Sequence, residues 1–194
     1  MFYARSIAAI TSALCLAGFA RGDVIIADSH GGGQYTNLQM AVNNAQDGDT
    51  ILVKDGAYST FTIDGKSLTV AVEVGATATV YGSVVVKNLA AGETVVLSGL
   101  TVTGATSASM ASSPGTGLIA TGNAGAVRAQ RCQFEGAEGY EVTIDDGGGC
   151  CALANHGAGW DGALLDGNAG GVAFEDCVLA GGAAGDAIET CYCG

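Results

Sequence analysis

Residues 35–72, YTNLQMAVNNAQDGDTILVKDGAYSTFTIDGKSLTVAV, change hydrophobic period part-way along. In the first part Leu38, Ala41, Val42 and Ala45 recur at the spacing that puts them on one face of a helix. Thr36 followed three residues later by Gln39 reads as a capping box, and Gly48 as a residue able to end a helix in the left-handed conformation. The expected helix covers about 36–47. From there the pattern alternates every second residue, in Ile51 and Val53, then Phe61 and Ile63, then Leu68, Val70 and Val72. That is the period of short strands, and the dipeptides Asp55-Gly56 and Asp64-Gly65 supply turns between them.

The second half of the chain repeats itself. GLIATGNAGAVRAQRCQFEG, from Gly117, aligns without gaps on GALLDGNAGGVAFEDCVLAG, from Gly162, an offset of 162 − 117 = 45. Gly122, Asn123, Ala124, Gly125, Val127 and Cys132 match Gly167, Asn168, Ala169, Gly170, Val172 and Cys177. Repetition on this scale marks units that stack because none can bury its apolar side alone. The simplest reading of the offset is two coils of roughly 22 residues each. GETVVLSGLTVTGA, from Gly92, fits the same frame, with Leu100 where Cys132 and Cys177 stand and Val102 where Phe134 and Leu179 stand. Those positions are expected to face inward. Asn123 and Asn168 are expected at matching turns, in the left-handed conformation asparagine tolerates, stacked on one another.

With these residues in view, the chain resembles the pectin-lyase-like proteins. The phrase Ala45, Gly48, Asp49, Thr50, Ile51, Val53, Gly56, Tyr58 is similar to the opening of their first coil, and a helix such as 36–47 closes the end of the stack in that family. The resemblance implies an all-β fold, a right-handed parallel β-helix with a short N-terminal amphipathic capping helix. It names no reaction, because the same opening is found in lyases, hydrolases, epimerases and proteins without known activity.

Residues 1–22 read as an export signal, with Arg5 before the apolar run Ile7–Phe19 and small residues around a cut after Ala20 or Gly22. Cys15 follows Leu14, where a lipoprotein signal needs a small residue. The expected mature domain is residues 23–194, secreted, at the cell surface or periplasmic, with no transmembrane segment after the signal. Glycine at 32 of 194 residues with 6% aromatics suits a narrow stack of turns, and 48% hydrophobic content excludes a disordered chain. The net charge is −12, and loss of Arg5 and Arg21 leaves 5 basic against 19 acidic residues, or −14. Such a surface repels nucleic acid, and it repels polyanions unless calcium bridges them. Residues 105–117, ATSASMASSPGTG, hold the one proline and read as an irregular loop leaving one coil.

Beyond the signal lie Cys132, Cys150, Cys151, Cys177, Cys191 and Cys193. Two coils apart, Cys132 and Cys177 would stand about 10 Å from each other, out of disulfide reach, and are expected to be buried thiols. Cys150, Cys151, Cys191 and Cys193 are the disulfide candidates, with partners open. Zinc finds no ligand spacing, since no C-x-x-C occurs and His30 and His156 stand apart.

The carboxylates Glu135, Glu138, Glu141, Asp145 and Asp146, with Arg128 and Arg131, are the material for chemistry. The β-helix lyases that the fold resembles use carboxylate-held calcium and a basic residue that removes a proton. On that model Glu141, Asp145 and Asp146 are calcium candidates and Asp145, Asp146 and Arg131 catalytic candidates. Calcium is the one cofactor suggested. Asp145-Asp146 followed by Asn155-His156-Gly157 is also similar to the paired aspartates and His-Gly of pectinase-type glycosidases, with too short a gap and no Asn-Thr-Asp element. The leading expectation is a non-catalytic exported repeat protein with a surface-binding, adhesive or structural role, whose partners are a polysaccharide or a cell-surface or extracellular protein. The alternative is a carbohydrate-active enzyme, a calcium-dependent polysaccharide lyase ahead of a glycoside hydrolase.

Overall fold

The computed structural model describes residues 22–105, 115–138, 142–143, 159–182 and 187–188. Strand β1 (Val24–Ala27) precedes the single helix of the described residues, α1 (Leu38–Asn44). Then come β2 (Thr50–Val53), β3 (Gly56–Asp64), β4 (Leu68–Val72), β5 (Ala78–Lys87), β6 (Thr94–Ser98) and β7 (Leu100–Thr103). Beyond residue 114 follow β8 (Leu118–Thr121), β9 (Ala126–Gln130), β10 (Gln133–Glu135) and β11 (Val142–Thr143). The last are β12 (Ala163–Asp166), β13 (Val172–Glu175), β14 (Val178–Ala180) and β15 (Ala187–Ile188). The fold is all-β, and every strand pairing among the described residues is parallel.

Apart from a separate pairing of β11 with β15, the pairings form three ladders that the chain visits in turn. A six-stranded sheet, β1-β2-β4-β6-β9-β13, is the first. The seven-stranded sheet is bent into the other two, because the first half of β5 pairs with β7 while its second half pairs with β8. β3 runs along both halves of β5, with a break in register between Ser59 and Phe61. The second ladder continues β7-β10-β14, and the third continues β8-β12.

Along each ladder alternate residues face inward, fully buried until the last circuit, where Phe174 is half-buried and Leu165 and Leu179 are 46% and 47% exposed. Ile51, Val70, Leu97, Ala129 and Phe174 follow one another in the first. Tyr58, Val80, Val102, Phe134 and Leu179 do so in the second, and Ile63, Val86, Ala120 and Leu165 in the third. The small Ala129 leaves room beside it, and the rings of Phe134 and Phe174 meet edge to face at 6.2 Å. The columns Leu100–Cys132–Cys177 and Val102–Phe134–Leu179 are those the repeat pointed to.

The offset of 45, however, spans one circuit of the three ladders and not two. Val127 pairs directly with Val172, and Gln133 with Val178. Circuits lengthen along the chain, from Thr50 to its partner Thr69, Leu68 to Val95, Val95 to Val127 and Val127 to Val172. The fourth is long because residues 136–162 lie inside it, between β10 and β12. Cys132 and Cys177 are therefore neighbours, and the expected separation of two coils is corrected: the Cys132 amide lies 3.4 Å from Cys177 Sγ. Both are free thiols, Cys132 buried and Cys177 only partly so.

Turns out of the third ladder share one conformation. Gly65, Asn88, Gly122 and Gly167 succeed one another in the left-handed region, at φ between 56° and 65°. Asn123 and Asn168 stand one residue later, at negative φ, so the expected left-handed role falls to the glycines before them. Their stacking is as expected: Asn123 Nδ2 donates to Asn168 Oδ1 at 2.7 Å and to the Val86 carbonyl at 3.0 Å, while its Oδ1 accepts from the Leu89 amide at 3.0 Å. A buried turn thereby satisfies its backbone groups from one side chain.

The first end of the ladders is covered by α1. Leu38, Ala41, Val42 and Ala45 are all buried, as their spacing requires, and the helix packs on β3 and β1. It is shorter than the expected 36–47. Asn37, not Thr36, is the N-cap, its Oδ1 accepting from the Met40 amide. Gln39 takes no part in a capping box: its amide donates to the Thr62 carbonyl and accepts from the Thr62 amide, pairing the edge of β3 as a peptide would. Gly48 does not end the helix either, since Ala45 is already extended. Lys66 Nζ reaches back to the carbonyls of Val42, Asn43 and Ala45 at 2.8–3.2 Å, placing a cation on the helix C-terminus. No helix among the described residues is long and apolar enough to cross a membrane.

Candidate functional site

The corner between the second and third ladders changes character along the chain. In β3 and β5 the backbone runs straight through it. After β7, β10 and β14 the chain instead leaves at this corner, through residues 104–117, 136–162 and 181 onward. The connections after β7, β10 and β14 therefore start from one edge.

Glycines let the departing backbones pack against each other. Gly104 N donates to the Glu135 carbonyl, Gly136 N to Ala180, Ala137 N to Gly115, Trp160 N to Ala137 and Gly182 N to Trp160, all between 2.6 and 3.0 Å. A Cβ on Gly136 would come within 1.9 Å of the Trp160 carbonyl oxygen, and one on Gly182 within 1.9 Å of that of Ala137. Only hydrogen fits at either place. The indole of Trp160 lies against Gly115, where a Cβ would meet Trp160 Cδ1 at 2.4 Å. Its other side is open, leaving the residue 44% exposed.

Beside this edge is a cleft of about 480 Å³, lined by Thr103, Glu135 and Glu138 and floored by Gly104, Gly136 and Gly182. Gln133 Nε2 donates to Glu135 Oε1 and holds that carboxylate along the ladder. The cleft thus offers carboxylate acceptors, a threonine hydroxyl and close-packed peptide groups, which suits a ligand rich in hydroxyl or amide donors.

Arg131 stands elsewhere. It occupies the turn between the first and second ladders at φ 52°, in a column with Gly99 and Asp176, and its guanidinium donates to Ser98 Oγ at 3.2 Å. There it lines a smaller cleft of about 240 Å³ with Glu73 and Ser98. Glu138, from which the chain runs on towards the other candidates, is at the opposite end of β10. Arg128 points outward from the first ladder, in the column of Thr69 and Val96. Glu141, Asp145, Asp146, His156 and the disulfide candidates Cys150, Cys151, Cys191 and Cys193 lie outside the described residues, as do the signal reading of residues 1–21 and most of the loop 105–117. Among the described residues no three His, Cys, Asp or Glu side chains are grouped to hold a metal ion.

Trp160 and Thr103 were not singled out by motif. The signal was present, since the single tryptophan of the chain stands in the run GAGWDG, where a large side chain among glycines is out of keeping.

No family model, curated protein or solved structure matches this chain.

Proposed function

We propose that the chain is an exported right-handed parallel β-helix of pectin-lyase-like type, capped by α1, and that it acts by binding and not by catalysis. The observation that carries this reading is the departure of the chain after β7, β10 and β14 from one corner of three stacked parallel ladders. A stacked framework with irregular connections gathered along one edge is the arrangement of a binding surface. The ligand class is a neutral or amino-containing glycan, or an extracellular protein presenting one. An exposed indole gives a stacking platform, and Glu135 and Glu138 accept from hydroxyl or amine donors beside it. The acidic surface disfavours polyanionic glycans.

Titration of the purified protein with neutral, amino and uronate polysaccharides, with calcium and with chelator, tests this directly. Trp160 fluorescence reports binding while reducing ends and the ultraviolet absorbance of unsaturated products report turnover. A saturable emission change without products, lost in Glu138→Gln, is expected. Calcium-dependent unsaturated products would replace the binding reading with a lyase, and reducing ends alone with a hydrolase.

A further inference from the structure

The column Leu100–Cys132–Cys177 places two thiols on successive circuits, at the same inward-facing position. Neighbouring parallel strands stand about 4.8 Å apart, inside the Cα separation that a disulfide spans. Cys177 Sγ is turned towards the preceding circuit, 3.4 Å from the Cys132 amide. Each thiol also lies 3.3 Å from the carbonyl two residues before it, Gln130 for Cys132 and Glu175 for Cys177. The two cysteines follow the left-handed turn residues Arg131 and Asp176 and stand immediately before β10 and β14, outside the ladder itself, where neighbouring side chains are held most rigidly.

We propose that Cys132 and Cys177 are a covalent modification site, a thiol pair that a small-molecule disulfide such as oxidised glutathione converts into a bond between adjacent circuits. Cys177 is the more accessible and is the point of entry. Its thiolate attacks one sulfur of the small disulfide, whose S–S bond breaks, forming a mixed disulfide and releasing one thiolate. The Cys132 sulfur, once deprotonated, attacks Cys177 Sγ and releases the second. The protein loses two electrons and two protons, and the small disulfide leaves as two thiols. Burial pushes the Cys132 thiol up to about 11, which makes its attack the slow step and lets the mixed disulfide accumulate first. This inference is independent of the ligand proposed above.

The bond is read by peptide mapping of the full chain after equilibration in oxidised or reduced glutathione, acid quench and alkylation. Cleavage after glutamate isolates the cysteines usefully: Cys132 falls between Glu93 and Glu135, Cys177 between Glu175 and Glu189, Cys150 and Cys151 between Glu141 and Glu175, and Cys191 and Cys193 after Glu189. The expected result is a linked pair of peptides carrying Cys132 and Cys177, absent after reduction. Oxidation should raise the melting temperature by about 5–15 °C in the wild type, and the part due to this bond should vanish in Cys177→Ala. Alkylated Cys132 and Cys177 thiols recovered intact from the oxidised sample, or either one linked to another cysteine, would overturn the proposal.

Discussion

Replacing Asn123 by alanine removes one side chain that serves three partners. The Leu89 amide loses its acceptor, the Val86 carbonyl loses a donor, and Asn168 Oδ1 loses its bond at 2.7 Å. Asn168 is half-buried and regains water, but Val86 and Leu89 are at most 1% exposed. Each buried group left without a partner costs about 1–3 kcal/mol, so the pair costs about 2–6 kcal/mol. Against a total stability of about 5–15 kcal/mol this is a large fraction. In equilibrium urea unfolding followed by circular dichroism, the midpoint should fall by about 1–2 M. The control is Gln130→Ala, whose side chain bonds only to the exposed Glu175 carboxylate and should leave the midpoint nearly unchanged. If Asn123→Ala unfolds at the same urea concentration as Gln130→Ala, the asparagine stack is not satisfying the turn, and the argument for it is wrong.

Lys66→Met keeps the stem of the side chain but removes the ammonium from the carbonyls of Val42, Asn43 and Ala45. It should cost about 1–2 kcal/mol and speed hydrogen exchange in α1 before other elements, which exchange mass spectrometry checks. Gly136→Ala forces a Cβ against the Trp160 carbonyl and should displace the corner, read as a change in the emission of the single tryptophan. Unchanged emission there would mean the contact is slack. The Tyr58 phenol, whose one hydroxyl hydrogen is shared between the carbonyls of Lys54 at 2.9 Å and Ala27 at 3.2 Å, is pushed above its ordinary value by burial. The unfolded chain therefore loses this proton first as pH rises, so the stability it lends is complete below pH about 10 and declines above it. Tyr58→Phe should be less stable at neutral pH and should lose less stability on going to alkaline pH, as thermal melts across that range would show.

What could be read in advance was what depends on side-chain period. The face of α1 and the columns through Leu100 and Val102 follow from which residues avoid water, and alternation alone assigns them. Circuit length could not be read that way. A stretch such as 136–162 inserts between two strands without disturbing either pattern, so the offset between Cys132 and Cys177 looked like two turns when it was one. Caps failed for a different reason: Thr36 and Asn37 are both good N-caps, and the choice between them is made by Gln39, which is drawn away to pair with Thr62 on a strand distant in sequence. β1 has no legible period, because its four residues, VIIA, are too few to establish one. The corner at Gly104, Gly136 and Gly182 was equally hidden, since those glycines answer to backbone approaching from another circuit.

The gathering of long connections at one corner has a practical side for protein engineering. Residues added there lie between the ends of two ladders and shift neither register, so they cost little beyond loop closure, about 0.6 kcal/mol for each doubling of length. A foreign peptide grafted after Glu138 would be displayed from a base whose geometry is set by hydrogen bonds on both sides, Ala137 to Gly115 and Trp160 to Ala137. Grafts at successive circuits would stand one strand spacing apart, about 4.8 Å, which makes this edge a ruler on which several short epitopes could be arrayed at known intervals.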